Sequence, residues 1–99
     1  MSRDVAADAN RLKALGHPVR LGIAIALART PETCACDFAD VFGVSQPTVS
    51  EHLRVLREAG LVTTRRRGTK ICYSLDPSAV KQVGKMLAAL QPAKTQKIA

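Results

Sequence analysis

The sequence predicts a mainly α fold of the α+β class, with five helices and one β-hairpin set between the fourth and the fifth. Three observations carry this expectation. Apolar residues recur at helical spacing over most of the chain. The pattern changes once, after Gly60, to two short β-branched runs around Gly68. Helical spacing then resumes at Asp76-Pro77, a pair suited to a helix start.

Taken in order, Val5, Ala6, Ala9, Leu12 and Leu15 define a first helix from about Asp4, ended by Gly16. Pro18 opens a second that runs to Arg29, apolar on most of its circumference and therefore expected in the core. A short third helix spans Asp37 to Phe42 and closes at Gly43. Ser45 offers its hydroxyl as an N-cap for a fourth, with Pro47 tolerated in the first turn. That fourth helix sets Val49, Leu53 and Leu56 on one face and terminates at Gly60. Leu61 to Arg65 and Lys70 to Leu75 form the hairpin, with Arg65-Arg66-Arg67-Gly68 at its tip. The last helix carries Val80, Val83, Met86, Leu87 and Leu90 up to Pro92. One domain over 1–92 is expected, followed by a frayed, disordered basic tail at 93–99.

Charge narrows the function. Fifteen Lys and Arg against eight Asp and Glu give a net charge of +7, which favours a polyanionic partner. Six basic residues, Arg54, Arg57, Arg65, Arg66, Arg67 and Lys70, fall between positions 54 and 70 with one acid, Glu58. The positive field is thus gathered over one segment, as a phosphate-contacting surface requires. No run approaches the ~18 apolar residues of a membrane span, and no signal peptide opens the chain. Three cysteines then read as free thiols or ligands in a reducing cytoplasm.

Two short helices joined by a tight turn at Gly43, followed by a basic hairpin, have the order of a winged helix-turn-helix. In that motif the N-terminal end of the second helix meets base edges. Here it presents Ser45, Gln46, Thr48, Ser50 and Glu51, able to donate and accept there. Arg54 and Arg57 are expected on phosphate, and His52 on phosphate or in a buried hydrogen bond. Arg65, Arg66, Arg67 and Lys70 should add affinity and salt dependence rather than specificity. The partner is double-stranded operator DNA, and binding it requires no cofactor. A non-specific architectural DNA protein explains the charge but not the polar helix N-terminus. No nucleophile pairing, paired-carboxylate pattern or phosphate-cradling loop suggests an enzyme.

RLKALGHPVRL, SQPTVSEHLRVLREAGLV and RRRGTKICYSL resemble, in order, the ArsR/SmtB family of winged-helix repressors, from about Arg11 to Leu75. The resemblance implies a homodimer built from the first and last helices. It also implies a repressor that sits on its operator without ligand and is released by an inducer, in many members a metal or metalloid ion. His17 matches a common family residue at a helix entrance, where a structural role is expected.

The sequence TCACDF reproduces the family's Cys-x-Cys-Asp as Cys34, Cys36 and Asp37. Two residues apart on a helix, side chains diverge. With Cys34 extended and Cys36 capping the helix, both thiols would face one side, and the helix N-terminus would lower the Cys36 pKa. Arsenical repressors often add a third Cys three residues on, but Ala39 stands there. The N-terminal arm, which supplies cysteines in some cadmium and lead sensors, has none. Cys72, on the second hairpin strand, is the remaining sulfur, expected near the pair if a short strand precedes the third helix. Three sulfurs suit As(III) or Sb(III), ahead of Cd(II), Pb(II), Cu(I) or Zn(II), the last lacking a fourth ligand. A redox or persulfide switch on the same fold is the alternative. A Cys34–Cys36 disulfide would be strained, because an extended i, i+2 pair spans ~6.6 Å at Cα.

Overall fold

The computed structural model describes residues 4–92, and the expected tail at 93–99 lies outside them. Five helices and three strands follow in the order α1 (Val5–Leu15), α2 (Pro18–Arg29), β1 (Thr33–Cys34), α3 (Ala35–Phe42), α4 (Gln46–Glu58), β2 (Val62–Arg67), β3 (Lys70–Leu75) and α5 (Pro77–Ala88). The mainly α winged helix-turn-helix is therefore the fold of the chain. The boundaries follow local chemistry. Asp4, His17, Ser45 and Asp76 each accept a backbone N–H at the start of a helix, removing one of the orphan donors that a helix start leaves. Proline occupies the first turn of α2, α4 and α5, where its missing N–H costs nothing. Gly43, left-handed at φ 64°, stops α3 and turns the chain into α4.

The core lies where α2, α3 and α4 meet the start of β2. Ile23, Leu27, Phe38, Val49, Leu53, Leu56, Leu61 and Val62 are buried there. Three of them are the face predicted for α4. Sealing a side chain the size of Leu53 stabilises the fold by about 1.5–3 kcal/mol, so this face anchors the recognition helix. α2 is less enclosed than its composition predicts. Ile23, Ala24 and Leu27 are buried, but Leu21 and Ile25 remain about half exposed, because packing against β3, α1 and α4 leaves one side of the helix uncovered.

Three further differences concern positions that matter for function. β1 adds a third strand, giving an antiparallel sheet in the order β1-β3-β2. Its register pairs Cys34 with Cys72, and β2 pairs Arg65 with that same Cys72. Second, α3 begins at Ala35, two residues earlier than expected. Cys34 is its extended N-cap (φ −90°, ψ 162°), and Asp37 in the first turn suits the positive end of the helix dipole. Third, Arg65, Arg66 and Arg67 belong to strand β2, not to the turn. They pair through Arg67↔Lys70, leaving Gly68 (φ 63°) and Thr69 as the two-residue turn. The backbone ladder decides this, since solvated arginine side chains cost a strand little. α5 ends at Ala88, so Leu90 lies beyond it.

Candidate DNA-binding face and dithiol site

Ser45, Gln46, Thr48, Ser50 and Glu51 are all exposed on the first turns of α4. Their availability differs. The Ser45 hydroxyl accepts the Thr48 N–H at 3.3 Å and donates to Thr48 Oγ1 at 2.9 Å. That pair is engaged in capping, which leaves Gln46 and Ser50, one turn apart, as the unencumbered polar side chains.

Arg54 is not a free phosphate contact. Its Nε donates to Glu51 Oε1 at 3.0 Å, a second nitrogen bonds Glu51 Oε2, and NH1 lies 2.8 Å from Glu58 Oε2. The spacing explains this, because i−3 and i+4 neighbours share a helix face. The Arg54 hydrogen bond holds the Glu51 carboxyl below its ordinary range. Glu51, then Glu58, raise the guanidinium of Arg54 above its own. Glu51 is correspondingly an ion-pair partner before it is a base reader.

His52 faces inward. Its Nδ1 lies 3.3 Å from Arg20 NH1, and its ring lies 4.4 Å from that of His17. Because guanidinium can only donate, His52 Nδ1 accepts, and the phosphate contact considered for it gives way to the buried hydrogen bond. Burial first, then the positive fields of His17 and Arg20, lower its pKa; Glu51 opposes them. Arg20 also donates Nε to Ala14 O at 2.6 Å, so one side chain ties the end of α1 to α2 and α4. Nothing in the sequence pattern marked Arg20 for this. His17 caps α2 through Nδ1, 3.1 Å from Val19 N, the structural role expected of it.

On the wing, Arg65 and Arg67 each place NH1 at 3.1 Å from the Glu32 carboxylate. Arg66, between them on the strand, points the other way. Among the described residues Arg57, Arg66 and Lys70 have no ion-pair partner. Within positions 54–70 they are the basic side chains with no carboxylate partner, while Arg65 and Arg67 keep further N–H groups free beside Glu32.

The sulfurs of Cys34 and Cys36 lie 2.6 Å apart. Asp37 is within reach of both, its Oδ2 3.3 Å from Cys34 Sγ and its Oδ1 4.0 Å from Cys36 Sγ, so the two S–H protons are shared among three contacts. Convergence arises because Cys34 is still in extended backbone while Cys36 is already in the first turn of α3. The expected roles are thus shifted: Cys34, not Cys36, is the cap. The expected fall in the Cys36 pKa is also overturned. The hydrogen bond with Cys34 raises it most, followed by burial and the negative fields of Cys34 and Asp37, against the opposing charge of Lys70.

One donor oxygen of Asp37 and the two sulfurs fall within 4.8 Å of one another, a soft pair with one hard neighbour. Cys72 is not in that cluster. It is buried opposite Cys34 in the sheet, and directly opposed side chains have Cβ atoms about 4.5–5.5 Å apart. The dithiol opens on a groove of ≈ 300 Å³, also lined by Gln46, Ser50, Lys70 and Tyr73. Thiols, recognition helix and wing therefore share one surface.

The profile of the arsR family of bacterial regulatory proteins matches residues 17–64. Across 78 residues the chain is 38% identical to an HTH-type transcriptional regulator of Methanocaldococcus jannaschii, covering 79% of this chain and 88% of that protein. The chain belongs to the arsR family. It is 42% identical to the arsenical resistance operon repressor of Escherichia coli over 66% of its length, and spans 56% of that relative. Among solved structures, a possible transcriptional regulator for arsenical resistance superposes with a TM-score of 0.77 at 32% identity, covering 86% of this chain and 88% of the other. A homodimeric winged helix-turn-helix domain from Mycobacterium bovis, a possible ArsR-family regulator, superposes at 0.72 with 27% identity over 91% and 87%. ArsR-family proteins are DNA-binding transcriptional regulators, so this chain is a regulator and not an enzyme. No helix among the described residues is long and apolar enough to cross a membrane.

Proposed function

We propose that this ArsR-family chain is a homodimeric repressor that holds its operator without ligand and releases it when a thiophilic ion engages Cys34 and Cys36. The observation that carries this is the shared groove: the dithiol faces Gln46 and Ser50 of the recognition helix and Lys70 of the wing. Gln46 and Ser50 read base edges, with Ser45 and Thr48 shaping the helix start, while Arg57, Arg65, Arg66, Arg67 and Lys70 contact phosphate. A ligand that favours one arrangement of α3 and the wing by about 1–3 kcal/mol changes operator affinity about 5–150-fold.

The donor set favours As(III) or Sb(III). Two sulfurs are in place, Asp37 is the harder and weaker third candidate beside them, and Cys72 would join only if its side chain rotated toward the pair. Cd(II), Pb(II) and Cu(I) follow on softness, and Zn(II) lacks its usual fourth donor. The named function of the E. coli relative in arsenical resistance supports this order. Dimerisation through α1 and α5 is supported by exposed Val5, Leu12, Val80 and Leu87 on those helices and by the homodimeric M. bovis relative. Operator binding and thiol-based sensing both suit a cytoplasmic protein.

The test is dissociation from the protein's own upstream DNA with As(III), Sb(III), Cd(II), Pb(II), Cu(I), Zn(II) and peroxide, for the parent and for Cys34→Ser, Cys36→Ser and Cys72→Ser. All four should bind DNA, and the first two variants should lose the response. A Cys34→Ser/Cys36→Ser variant that still responds normally would sink the sensor assignment. The pairing of Cys34 with Cys72 across the sheet favours one second reading, a thiol switch between those two, which release by peroxide alone would support. Equal affinity for operator and random DNA would instead indicate a non-specific DNA protein.

A further inference from the structure

Glu32 adopts a left-handed backbone at φ 60°, the one non-glycine residue described with positive φ. L-residues with a Cβ rarely occupy that region, and those that do are held there by their surroundings. Here the hold is visible. The Glu32 N–H donates to Ser74 Oγ of β3 at 3.2 Å, while Thr33 Oγ1 donates to Thr30 O at 2.6 Å. The carboxylate is split between two guanidinium groups, Oε2 to Arg65 and Oε1 to Arg67. Those two side chains are 71% and 61% exposed, but Glu32 only 32%. Each arginine spends one nitrogen on Glu32, so its other N–H groups remain available to an anion.

We infer that Glu32 is a positioning residue for DNA binding: it fixes Arg65 and Arg67 on one face of the wing, at an orientation set by β1. The surroundings select this over a stray surface ion pair. An isolated exposed pair contributes little, but here one carboxylate orders two arginines that share a strand face. Its own backbone is anchored to the same sheet. The geometry also links the wing to the dithiol, because Glu32 is two residues from Cys34 and Cys34, Cys72 and Arg65 lie in one row across the sheet. Sequence alone hides this, since Glu32 lies 33 and 35 positions from its partners.

The inference rests on the DNA-binding reading above and makes a prediction of opposite sign to simple electrostatics. Removing a negative charge near a basic wing should, by charge alone, strengthen DNA binding. If Glu32 positions the arginines, Glu32→Gln instead weakens operator binding, by about fivefold or more, the lower end of the couplings that proteins transmit. Glu32→Gly suits the left-handed backbone better than glutamate and removes the same carboxylate. It should keep or raise the thermal midpoint and show the same loss of affinity. In an Arg65→Ala/Arg67→Ala background, Glu32→Gln should have no further effect. Unchanged or tighter binding by both Glu32 variants, with the parent bound and Arg66→Ala weakened, overturns the positioning role and leaves the DNA-binding reading intact. A parent that binds no DNA overturns both.

Discussion

His52 and Arg54 lie two positions apart on α4; Arg54 was expected at phosphate, and His52 at phosphate or in a buried hydrogen bond. Helix geometry sends them to opposite surroundings: His52 turns toward α2, and Arg54 stays outside between Glu51 and Glu58. For His52 the consequence is pH-dependent stability. Its Nδ1 must be unprotonated to accept from Arg20, and its pKa lies below the ordinary imidazole value because of burial and nearby positive charge. On acidification the unfolded chain takes up this proton first. The stabilisation is therefore complete above the unfolded imidazole pKa of about 6.5 and is lost as pH falls through the lower folded value. Thermal midpoints measured from neutral to mildly acidic pH should fall, and less steeply in His52→Gln. A variant whose midpoint falls as steeply as the parent's would remove His52 as the cause. Residue type was legible at both positions; whether each side chain is spent within the protein was not.

Between elements, close approach decides what the sequence leaves open. α2 and α3 meet at Gly22, where an added Cβ would stand 2.7 Å from Phe42 Cε1 and 3.1 Å from Cζ. Phe42 ends the helix that carries the dithiol, so this contact sets how α3 lies against α2. Gly22→Ala must push the ring aside. It should destabilise the fold by about 1–3 kcal/mol, as overpacking does, despite alanine's better helix propensity. Thermal unfolding checks this, and a midpoint equal to or above the parent's would mean that the ring moves freely. The helices were legible because periodicity, caps and prolines agree over each. β1 was not, because two residues are too few to carry a pattern. It exists through its pairing with β3.

For the whole molecule, the net charge of +7 predicts strongly salt-dependent DNA binding. The tertiary arrangement says which charges count. Arg57, Arg66 and Lys70 are open to phosphate, whereas Arg54 is neutralised by two carboxylates on its own helix. Each of Arg57→Ala, Arg66→Ala and Lys70→Ala should reduce the slope of log affinity against log salt by about 0.9 per protomer, hence about 1.8 for the homodimer. Arg54→Ala should leave it nearly unchanged. Binding isotherms at several salt concentrations decide this, and an Arg54 effect as large as that of Arg66 would show that DNA displaces its carboxylates.

The sequence by itself determined the fold class, the capped recognition helix and the Cys34-Cys36-Asp37 motif. Each is local: a periodicity, a cap or a spacing acts over a few residues and needs no distant partner. Tertiary structure decided which side chains remain available. It drew His52 into a bond with Arg20, set Cys72 across from Cys34 outside the dithiol cluster, and brought Glu32 to Arg65 and Arg67. These pairings join residues 32 to 38 positions apart. Such contacts form only once the core has brought the elements together, so no local pattern could announce them.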